Sequence, residues 1–285
     1  MIRTKTSWSP TQKNEPTVSV VIPTKDRADM VCLALESVLT QTVAPSEIIV
    51  VDDHSSDNTM QKLQSYDNIK VIHSPHHGVS HARNFGVQHA SSSWIAFLDS
   101  DDLWAKTKIE KQILTIKTNP DTPLVHCDEK WLFKGKHLNQ KKYHKKSGGD
   151  IFNECLERCI ISPSGAMIQR SFLQDLGGFD TNYTVCEDYE LWLHITANHR
   201  VSFVEEPLVI KHGGHSDQLS QKYLGMEMWR ILAILELLNS NHLEPSKKQT
   251  AHNVLHKKIS HTKAGMIKHQ RDNFINILEL SLIHI

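Results

Sequence analysis

The amino-acid sequence predicts an α/β domain with a mostly parallel central sheet flanked by helices, followed by an α-helical C-terminal extension. Between residues 18 and 98, four short apolar runs alternate with segments whose apolar positions recur at helical spacing, a pattern typical of parallel sheets. Beyond about residue 220, the apolar positions follow helical spacing only. We therefore expect a flexible tail at 1–16, one domain at 17–219 and a helical extension at 220–285.

The first half of the domain, residues 17–105, carries the clearest alternation. The predicted strands are Val18–Ile22, Ile48–Val51, Ile69–Ile72 and Trp94–Leu98. The predicted helices are Ala28–Gln41, a helix that starts at the capping residues Ser55, Ser56 and Asp57 and reaches about Tyr66, and Val79–Ala90. Pro23 is expected to stop the first strand, because proline has no N–H to donate to a neighbouring strand.

Polar residues follow three of these strands directly. They are Thr24–Arg27, Asp52-Asp53 and Asp99–Asp102. Ligands of open α/β sheets bind beyond the carboxyl ends of the parallel strands. The sequence therefore predicts that these three segments form one ligand site.

Residues 106–219 form a less regular second half. Predicted strands are Leu124–Cys127, Trp131–Phe133 and Ala166–Gln169, and predicted helices are one marked by Ile109, Ile113 and Ile116, one from Ser171 to Gly177-Gly178, and Asp188–Ala197. Lys134–Lys146 is a basic loop with six lysines and two histidines. A solvated surface is the favoured interpretation of such a charge run, and contact with an anionic acceptor or membrane is the alternative. In the extension, helices are expected at Met226–Leu238 and His256–Leu282.

Composition excludes some classes of function. Lys and Arg together number 32, as do Asp and Glu, so no net field favours nucleic acid as a partner. Five cysteines without a CxxC pair, and a polar N-terminus, fit reduced thiols in a cytoplasmic protein. No apolar run reaches membrane-spanning length, which leaves a peripheral contact with the inner face of a membrane open. The C-terminal helices could pack on the domain or form a homo-oligomer.

The third polar segment suggests a metal site. Asp99, Asp101 and Asp102 follow a strand that is expected to be buried, where unpaired carboxylates would repel one another and lose hydration. Oxygen-rich sites suit Mg²⁺ or Mn²⁺, which are usually shared with substrate phosphates. The alternative is that one of these residues caps the next helix while the others are solvated.

Six motifs in order resemble family 2 glycosyltransferases with the GT-A fold. They are Val18–Arg27, Ile48–Thr59, Gly78–Gly86, Phe97–Trp104, Gly177–Asp180 and Glu187–Ile195. The resemblance implies transfer of a sugar, with inversion, from a nucleotide-sugar such as a UDP-sugar to a saccharide or lipid-linked saccharide. The expected setting is the synthesis of cell-surface polysaccharide or lipopolysaccharide. The first four motifs would bind the donor, and the last two would bind the acceptor.

The resemblance also assigns residues. Those implied to bind the nucleotide-sugar are Pro23, Thr24, Arg27, Asp53, Arg83, Asp99, Ser100 and Asp101. Within this set Asp53 meets the base and Asp99 the ribose. Asp101, with Asp102 as a second ligand, would hold Mn²⁺ or Mg²⁺, and His215 is preferred to His212 as the histidine that completes the metal site. Two other interpretations stay open, namely that Asp53 stabilises a turn and that Arg83 forms a structural salt bridge.

Glu187-Asp188 is the expected catalytic pair. The family's corresponding aspartate acts as the base that takes the proton of the acceptor hydroxyl, so Asp188 takes this role and Glu187 orients the acceptor. The alternative is that Asp188 only caps its helix, since carboxylates are favoured there.

Two other functions remain as alternatives. A nucleotidyltransferase would need a glycine-rich basic loop after the first strand, and Pro23–Arg27 contains no glycine. A non-catalytic saccharide-binding or scaffold protein would not need Asp53, Asp99, Asp101 and Asp188 together. A Rossmann dehydrogenase is excluded, because no GxGxxG follows Ile22.

Overall fold

The computed structural model describes residues 15–139, 142–214, 225–240 and 243–268, which form a mixed β-sheet with helices on both faces. The strands are β1 Val18–Thr24, β2 Glu47–Asp52, β3 Lys70–His73, β4 Trp94–Phe97, β5 Asp102–Trp104, β6 Leu124–Phe133, β7 Lys136–Leu138, β8 Met167–Gln169 and β9 Ser202–Gly213. The helices are α1 Ala28–Leu39, α2 Thr59–Leu63, α3 Val79–His89, α4 Lys108–Thr118, α5 Phe152–Glu157, α6 Arg170–Asp175, α7 Glu187–Asn198, α8 Met226–Asn239 and α9 Pro245–Lys268.

The sheet is parallel on one side and largely antiparallel on the other. Its strand order is β3-β2-β1-β4-β8-β6-β9-β5, with β7 paired to β6. The pairs among β1 to β4 are all parallel, as the sequence predicts. In the second half only β6 and β9 pair in parallel, while β8 runs antiparallel to both β4 and β6. The α/β class is therefore confirmed, but "mostly parallel" holds only for the half formed by β1 to β4.

β1 is the central strand of the parallel half. Val18, Val20 and Ile22 pack into the core on one face of the sheet and Val21 into the core on the other, and all are buried. This follows from the alternation of side chains along a strand. Pro23 does not stop the strand as expected, because pairing with β2 continues through Thr24 opposite Asp52.

The parallel register places the polar segments together. β1, β2 and β4 run in the same direction, so the segments that follow them emerge at one edge of the sheet. The backbone N–H of Asp53 donates to the carbonyl oxygen of Thr24 at 2.8 Å, which joins two of these segments directly. The three polar segments thus lie at the same edge of the sheet, as predicted.

Two features of the second half differ from expectation. No strand was predicted at Ser202–Gly213, yet β9 is among the longest strands and pairs with both β5 and β6. The basic segment Lys134–Lys146 is not a simple loop, because it contains β7 and a 3₁₀ turn at Lys142–His144. Lys146 is buried against Glu129 at 2.8 Å instead of being solvated.

The C-terminal helices pack on the domain. Ile231, Ile234 and Leu255 lie in the same buried core as residues of α7. The Lys258 ammonium also donates to the carbonyl oxygen of Glu157 at 3.0 Å. The last helix begins at Pro245 instead of His256, and its predicted end at Leu282, the boundary near residue 220 and residues 1–14 of the expected tail lie outside the described residues. Across the described ranges, no helix combines the length and apolarity that a membrane crossing needs.

Gly86 allows α3 to pack closely on the sheet. A Cβ atom at this position would lie 2.4 Å from a methyl carbon of Val21 and 3.1 Å from one of Val51. Because both valines are fully buried, they have little room to move.

We expect Gly86→Ala to lower the free energy of unfolding by about 1–3 kcal/mol, the usual cost of overpacking a core. Gly265→Ala is the matched control, because Gly265 is also helical and a Cβ there would meet no atom within 4 Å. That control should raise stability by up to about 1 kcal/mol through helix propensity. Urea denaturation measures the free energy of unfolding of both variants. An equal change in the two variants would contradict close packing at Gly86.

Candidate active site

The end of the site formed by β1 and β2 contains a carboxylate and a buried hydroxyl. Asp53 is 7% exposed, and its Oδ2 atom accepts a hydrogen bond from the backbone N–H of Gly78 at 3.0 Å. Beside it, the Thr24 hydroxyl is buried and has no hydrogen-bond partner among the described residues. Buried polar atoms are nearly always paired, so this unpaired hydroxyl suggests a ligand group as its partner.

Asp52 has the structural role. Its carboxylate is 2% exposed and accepts from the Ser55 backbone N–H at 3.3 Å and from the His73 ring at 3.2 Å. It therefore holds the turn after β2, a role that the sequence left open for Asp53. The Asp53 carboxylate points to a different set of partners.

Arg83 connects the two halves of the site. Its guanidinium is buried and donates to Asp99 Oδ1 at 2.7 Å and to Glu187 Oε1 at 2.6 Å. The guanidinium carbon lies over the ring of Phe179, 5.1 Å from the ring centroid. Both interpretations of Arg83 left open by the sequence are therefore compatible, because its salt bridges are themselves made to candidate site residues.

The two carboxylates that share Arg83 differ in pKa, because that of Asp99 is lowered and that of Glu187 is raised. Burial alone would raise the pKa of Asp99, but the charges of Arg83, Lys211 and Arg27 hold it below its usual range. Burial raises the pKa of Glu187 to about 7, with Arg83 opposing this shift and the charge of Asp188 adding to it. Asp99 is thus anionic at neutral pH, whereas Glu187 exchanges its proton there.

This shift predicts a pH-dependent stability. A folded-state pKa near 7, against 4.5 for an ordinary glutamate, means that the folded protein binds an extra proton between these values. The free energy of unfolding of the wild type should therefore fall relative to Glu187→Gln as pH rises from 5 to 7, by up to about 1.4 kcal/mol per pH unit. Denaturant titrations at several pH values measure this difference, and a difference independent of pH would contradict the assignment.

The acidic segment after β4 divides into an accessible and an interior part. The Asp101 carboxylate forms an ion pair with Arg27 at 3.0 Å, and both side chains remain partly exposed. Arg27 also donates to the hydroxyl of buried Ser100 at 3.4 Å. Asp101, its partner Arg27 and Asp99, whose side chain is 22% exposed, are therefore charged groups that a ligand can reach.

Asp102 lies inside the protein as the first residue of β5. It is 1% exposed and accepts a hydrogen bond from the Ser164 hydroxyl at 2.6 Å, with the Lys211 ammonium 3.5 Å away. Burial raises the pKa of Asp102 to about 7 against the opposing charge of Lys211. These partners favour a structural role for Asp102 and leave Asp101 as the better metal ligand of the two.

Asp188 lies in the first turn of α7, one residue after Glu187. Its Oδ1 atom accepts from the Tyr189 backbone N–H at 2.7 Å, and its Oδ2 atom accepts from the Cys159 thiol at 3.3 Å. Burial and the charge of Asp188 raise the pKa of Cys159, which keeps this thiol protonated as a donor. Cys186 occupies the position before the helix with φ +63°, a conformation uncommon for residues other than glycine. Asp188 is half-buried and so accessible to a substrate.

Of the two candidate histidines, the structure describes His212 but not His215. The His212 ring lies against the acidic segment, with Nδ1 3.2 Å from the carbonyl oxygen of Asp101. His215, the preferred candidate from the sequence, lies outside the described residues. Pro23 lies within β1, opposite Val51.

Sequence reasoning missed Lys211 and Ser164. Lys211 is half-buried in β9, and its pKa is raised because Asp102, Glu129 and Asp99 surround it, although burial opposes the shift. A lysine directly after the apolar run Leu208–Ile210, and directly before His212, was a usable signal. Ser164 carried no such signal, because it lies in a 3₁₀ turn distant in sequence from the residues that it contacts.

Comparison with known proteins identifies the family. The model of the family described as glycosyl transferase family 2 matches residues 19–177, more than half of the chain. The chain belongs to glycosyl transferase family 2. The match includes the candidate site residues Thr24, Asp53, Arg83, Asp99 and Asp101.

Curated relatives in this glycosyltransferase family differ in length. The Escherichia coli UDP-Glc:alpha-D-GlcNAc-diphosphoundecaprenol beta-1,3-glucosyltransferase WfgD is 31% identical over 196 residues, which cover 66% of this chain and 72% of WfgD. An uncharacterized glycosyltransferase of Rickettsia conorii is 30% identical over 198 residues, covering 68% of this chain. The chain spans about a third of the length of that relative and of one from Rickettsia felis, with 32% of each covered.

Solved structures support the family fold. S. aureus TarS 1–349 in complex with UDP-GlcNAc matches with a TM-score of 0.70 at 22% identity, covering 86% of this chain and 73% of that one. This likeness establishes a GT-A-like α/β fold, as predicted. The family 2 chain thus has the expected architecture, with β1 to β4 forming the parallel half of its sheet.

Proposed function

We propose that this chain is a metal-dependent, inverting glycosyltransferase that moves a sugar from a UDP-sugar to a saccharide or lipid-linked saccharide. The observation that carries the proposal is the double ion pair of Arg83. It links Asp99, on the donor side, to Glu187, which precedes the candidate base Asp188. Names of relatives support the donor class, since WfgD is named for UDP-Glc and the TarS structure contains UDP-GlcNAc.

The donor is held by groups of the first half. Asp53 accepts a hydrogen bond from the uracil N–H, and the buried Thr24 hydroxyl finds its missing partner on the nucleotide. Asp99, kept anionic by its cationic neighbours, accepts from a ribose hydroxyl. Arg27, which is partly exposed, forms charge-assisted hydrogen bonds to the diphosphate.

Transfer then needs a base on the opposite side of the sugar. The acceptor hydroxyl loses its proton to Asp188 as its oxygen forms a bond to the anomeric carbon, and the bond to the diphosphate oxygen breaks in line. The Cys159 thiol and the Tyr189 N–H hold one oxygen each and so orient the Asp188 carboxylate. Glu187, fixed by Arg83, orients the acceptor. One displacement at the anomeric carbon inverts its configuration.

The residues present fit a divalent cation near Asp101. Mg²⁺ and Mn²⁺ are typically held by one or two carboxylates together with substrate phosphates, and Asp101 is a partly exposed carboxylate of the segment. His212 lies beside it and His215 follows three residues later. When bound, the cation supplies positive charge that stabilises the diphosphate leaving group.

The metal part of the proposal is tested by Asp101→Asn. This change should lower sugar transfer by about a hundredfold or more, because electrostatic stabilisation of the charge that develops on a leaving group contributes strongly to catalysis. Thermal unfolding in the absence of ligands should change little, because Asp101 is partly exposed. A chelator should reproduce the loss in the wild type, and readdition of Mn²⁺ should reverse it. Full transfer in the chelator would contradict a metal-dependent reaction.

A lipid-linked acceptor would bring the protein to a membrane surface, and the hairpin of β6 and β7 is suited to that contact. Phe133 and Leu138 are 47% and 45% exposed there, beside exposed Lys130, Lys134 and Lys136. Apolar and basic side chains together favour anionic lipid surfaces. Sedimentation with anionic vesicles should exceed that with neutral ones, and Lys134→Glu with Lys136→Glu should remove the excess. Equal sedimentation would contradict the contact.

Cytoplasmic location, a role in cell-surface polysaccharide synthesis and a homo-oligomer through the C-terminal helices remain predictions.

A further inference from the structure

Two histidine rings lie over the carboxylate at the nucleotide-base end of the site. The Nδ1 atoms of His54 and His77 are 3.5 Å and 3.8 Å from the same oxygen, Asp53 Oδ1. Their ring centroids are 3.9 Å apart. One ligand atom from each of the three residues lies within 4.8 Å of the others. In the proposed sugar transfer, neither imidazole binds a substrate or moves a proton.

The distances suit a transition-metal ion. Zinc binds imidazole nitrogen and carboxylate oxygen at about 2.0–2.1 Å in tetrahedral geometry, which places neighbouring ligand atoms about 3.3–3.4 Å apart. The nitrogen–oxygen separations of 3.5 Å and 3.8 Å exceed this by only a few tenths of an ångström. A salt bridge or hydrogen bond to Asp53 would need only one of the two rings. Two nitrogens directed at one carboxylate oxygen resemble a ligand set.

The backbone holds this arrangement in place. His54 has φ +60°, a left-handed conformation that is uncommon for residues other than glycine. Such outliers concentrate at functional sites. The Gly78 N–H donates to Asp53 Oδ2, which fixes the orientation of the carboxylate and leaves Oδ1 for the cation. Since His77 directly precedes Gly78, the same hydrogen bond ties the second ring to the carboxylate. Outer contacts of this kind orient the ligands of metal sites.

We propose that Asp53, His54 and His77 form a binding site for a borderline divalent cation such as Zn²⁺. Two imidazoles and one carboxylate favour Zn²⁺ over Mg²⁺, which prefers oxygen ligands throughout. The side chains of His54 and His77 are 43% and 71% exposed, so the cation reaches the site from solvent and completes its coordination with water. This site is separate from the proposed Mg²⁺ or Mn²⁺ site near Asp101.

Zinc and nucleotide would compete, because both need the Asp53 carboxylate. This consequence rests on the proposed function, in which Asp53 binds the base, whereas the zinc site itself does not. Zinc bound at this position would block the base-binding group and lower the affinity for UDP. The site would then make donor binding sensitive to free zinc.

The test uses the full chain without a histidine affinity tag. Calorimetric titration with Zn²⁺, in the absence of nucleotide, should reveal one strong site per chain. The double variant His54→Asn with His77→Gln should bind Zn²⁺ at least about tenfold more weakly, the scale of losses from disturbed metal sites. His256→Gln, which changes an exposed histidine of α9, should bind as the wild type does. Mg²⁺ should give no comparable signal at this site. Equal zinc affinity in the double variant and the wild type would overturn the proposal.

A second titration separates the two proposals. UDP affinity is measured with and without Zn²⁺, in the wild type and in the double variant. Competition predicts that Zn²⁺ weakens UDP binding in the wild type but not in the double variant, which also controls for zinc bound to the diphosphate. UDP affinity that is unaffected by Zn²⁺ in the wild type would overturn the competition. Failure to bind UDP even without Zn²⁺ would instead overturn the proposed function and leave the zinc site standing.

Discussion

Asp188→Asn is expected to lower the turnover of sugar transfer by about a hundredfold or more, the usual contribution of a positioned general base. An asparagine oxygen still accepts from the Tyr189 N–H, as the carboxylate does in the structure. The first turn of α7 should therefore keep its geometry, and the free energy of unfolding should change by less than about 1 kcal/mol, the scale of a helix-cap substitution. An amide cannot take a proton, so only the chemical step is lost.

The measurement combines turnover with UDP affinity, at one Mn²⁺ concentration. UDP affinity should survive, because Asp53, Asp99 and Asp101 are unchanged. Asp175→Asn, at an exposed position that ends α6, is the matched control and should leave turnover unchanged. Near-normal turnover in Asp188→Asn would show that Asp188 only stabilises its helix, and Glu187 or Asp180 would then be the next candidates for the base.

Arg83→Gln should produce the largest loss of stability of the changes considered. It removes the one buried guanidinium that contacts both Asp99 and Glu187, and so leaves two carboxylates without their shared cation. Breaking a buried ion pair by removing one partner costs about 3–5 kcal/mol. UDP affinity should fall as well, because Asp99 loses the group that positions it for the ribose.

Two further variants make the Arg83 test specific. Lys111→Gln removes a surface ion pair with Glu206, and should cost at most about 1 kcal/mol. Arg83→Lys keeps the charge but cannot form two separate planar contacts, so its loss should lie between those of the other two variants. Denaturant unfolding followed by UDP titration provides both readouts. If Arg83→Gln costs no more than Lys111→Gln, the bridge does not hold the two halves of the site together.

The half of the domain formed by β1 to β4 could be predicted from the sequence because its signals are local. Apolar runs of strand length, helical periodicity and polar residues directly after strands placed Thr24, Asp53 and Asp99 at one edge of the sheet. Parallel strands between helices bring their carboxyl ends together, so no knowledge of distant contacts was needed. Pro23 was the local exception, since β1 continues past it.

The remaining part of the site depends on contacts that local patterns do not contain. The bridge from Arg83 to Glu187 spans 104 residues of sequence. The interior position of Asp102 follows from pairing of β5 with β9, a strand whose alternation is interrupted at its β-bulge with β6. Lys211 was missed for the same reason. The carboxylates that surround it are brought together only by folding.

The most direct test of the central claim is the affinity of the wild type and of Asp53→Asn for UDP and GDP in the presence of Mn²⁺. We expect the wild type to bind UDP more tightly than GDP. Asp53→Asn should weaken UDP binding by about tenfold or more, since a hydrogen bond to a charged group is worth about 1.5–3 kcal/mol. A wild type that does not bind UDP, or an Asp53→Asn variant that binds it equally well, would contradict the assignment of this edge of the sheet to a nucleotide-sugar donor.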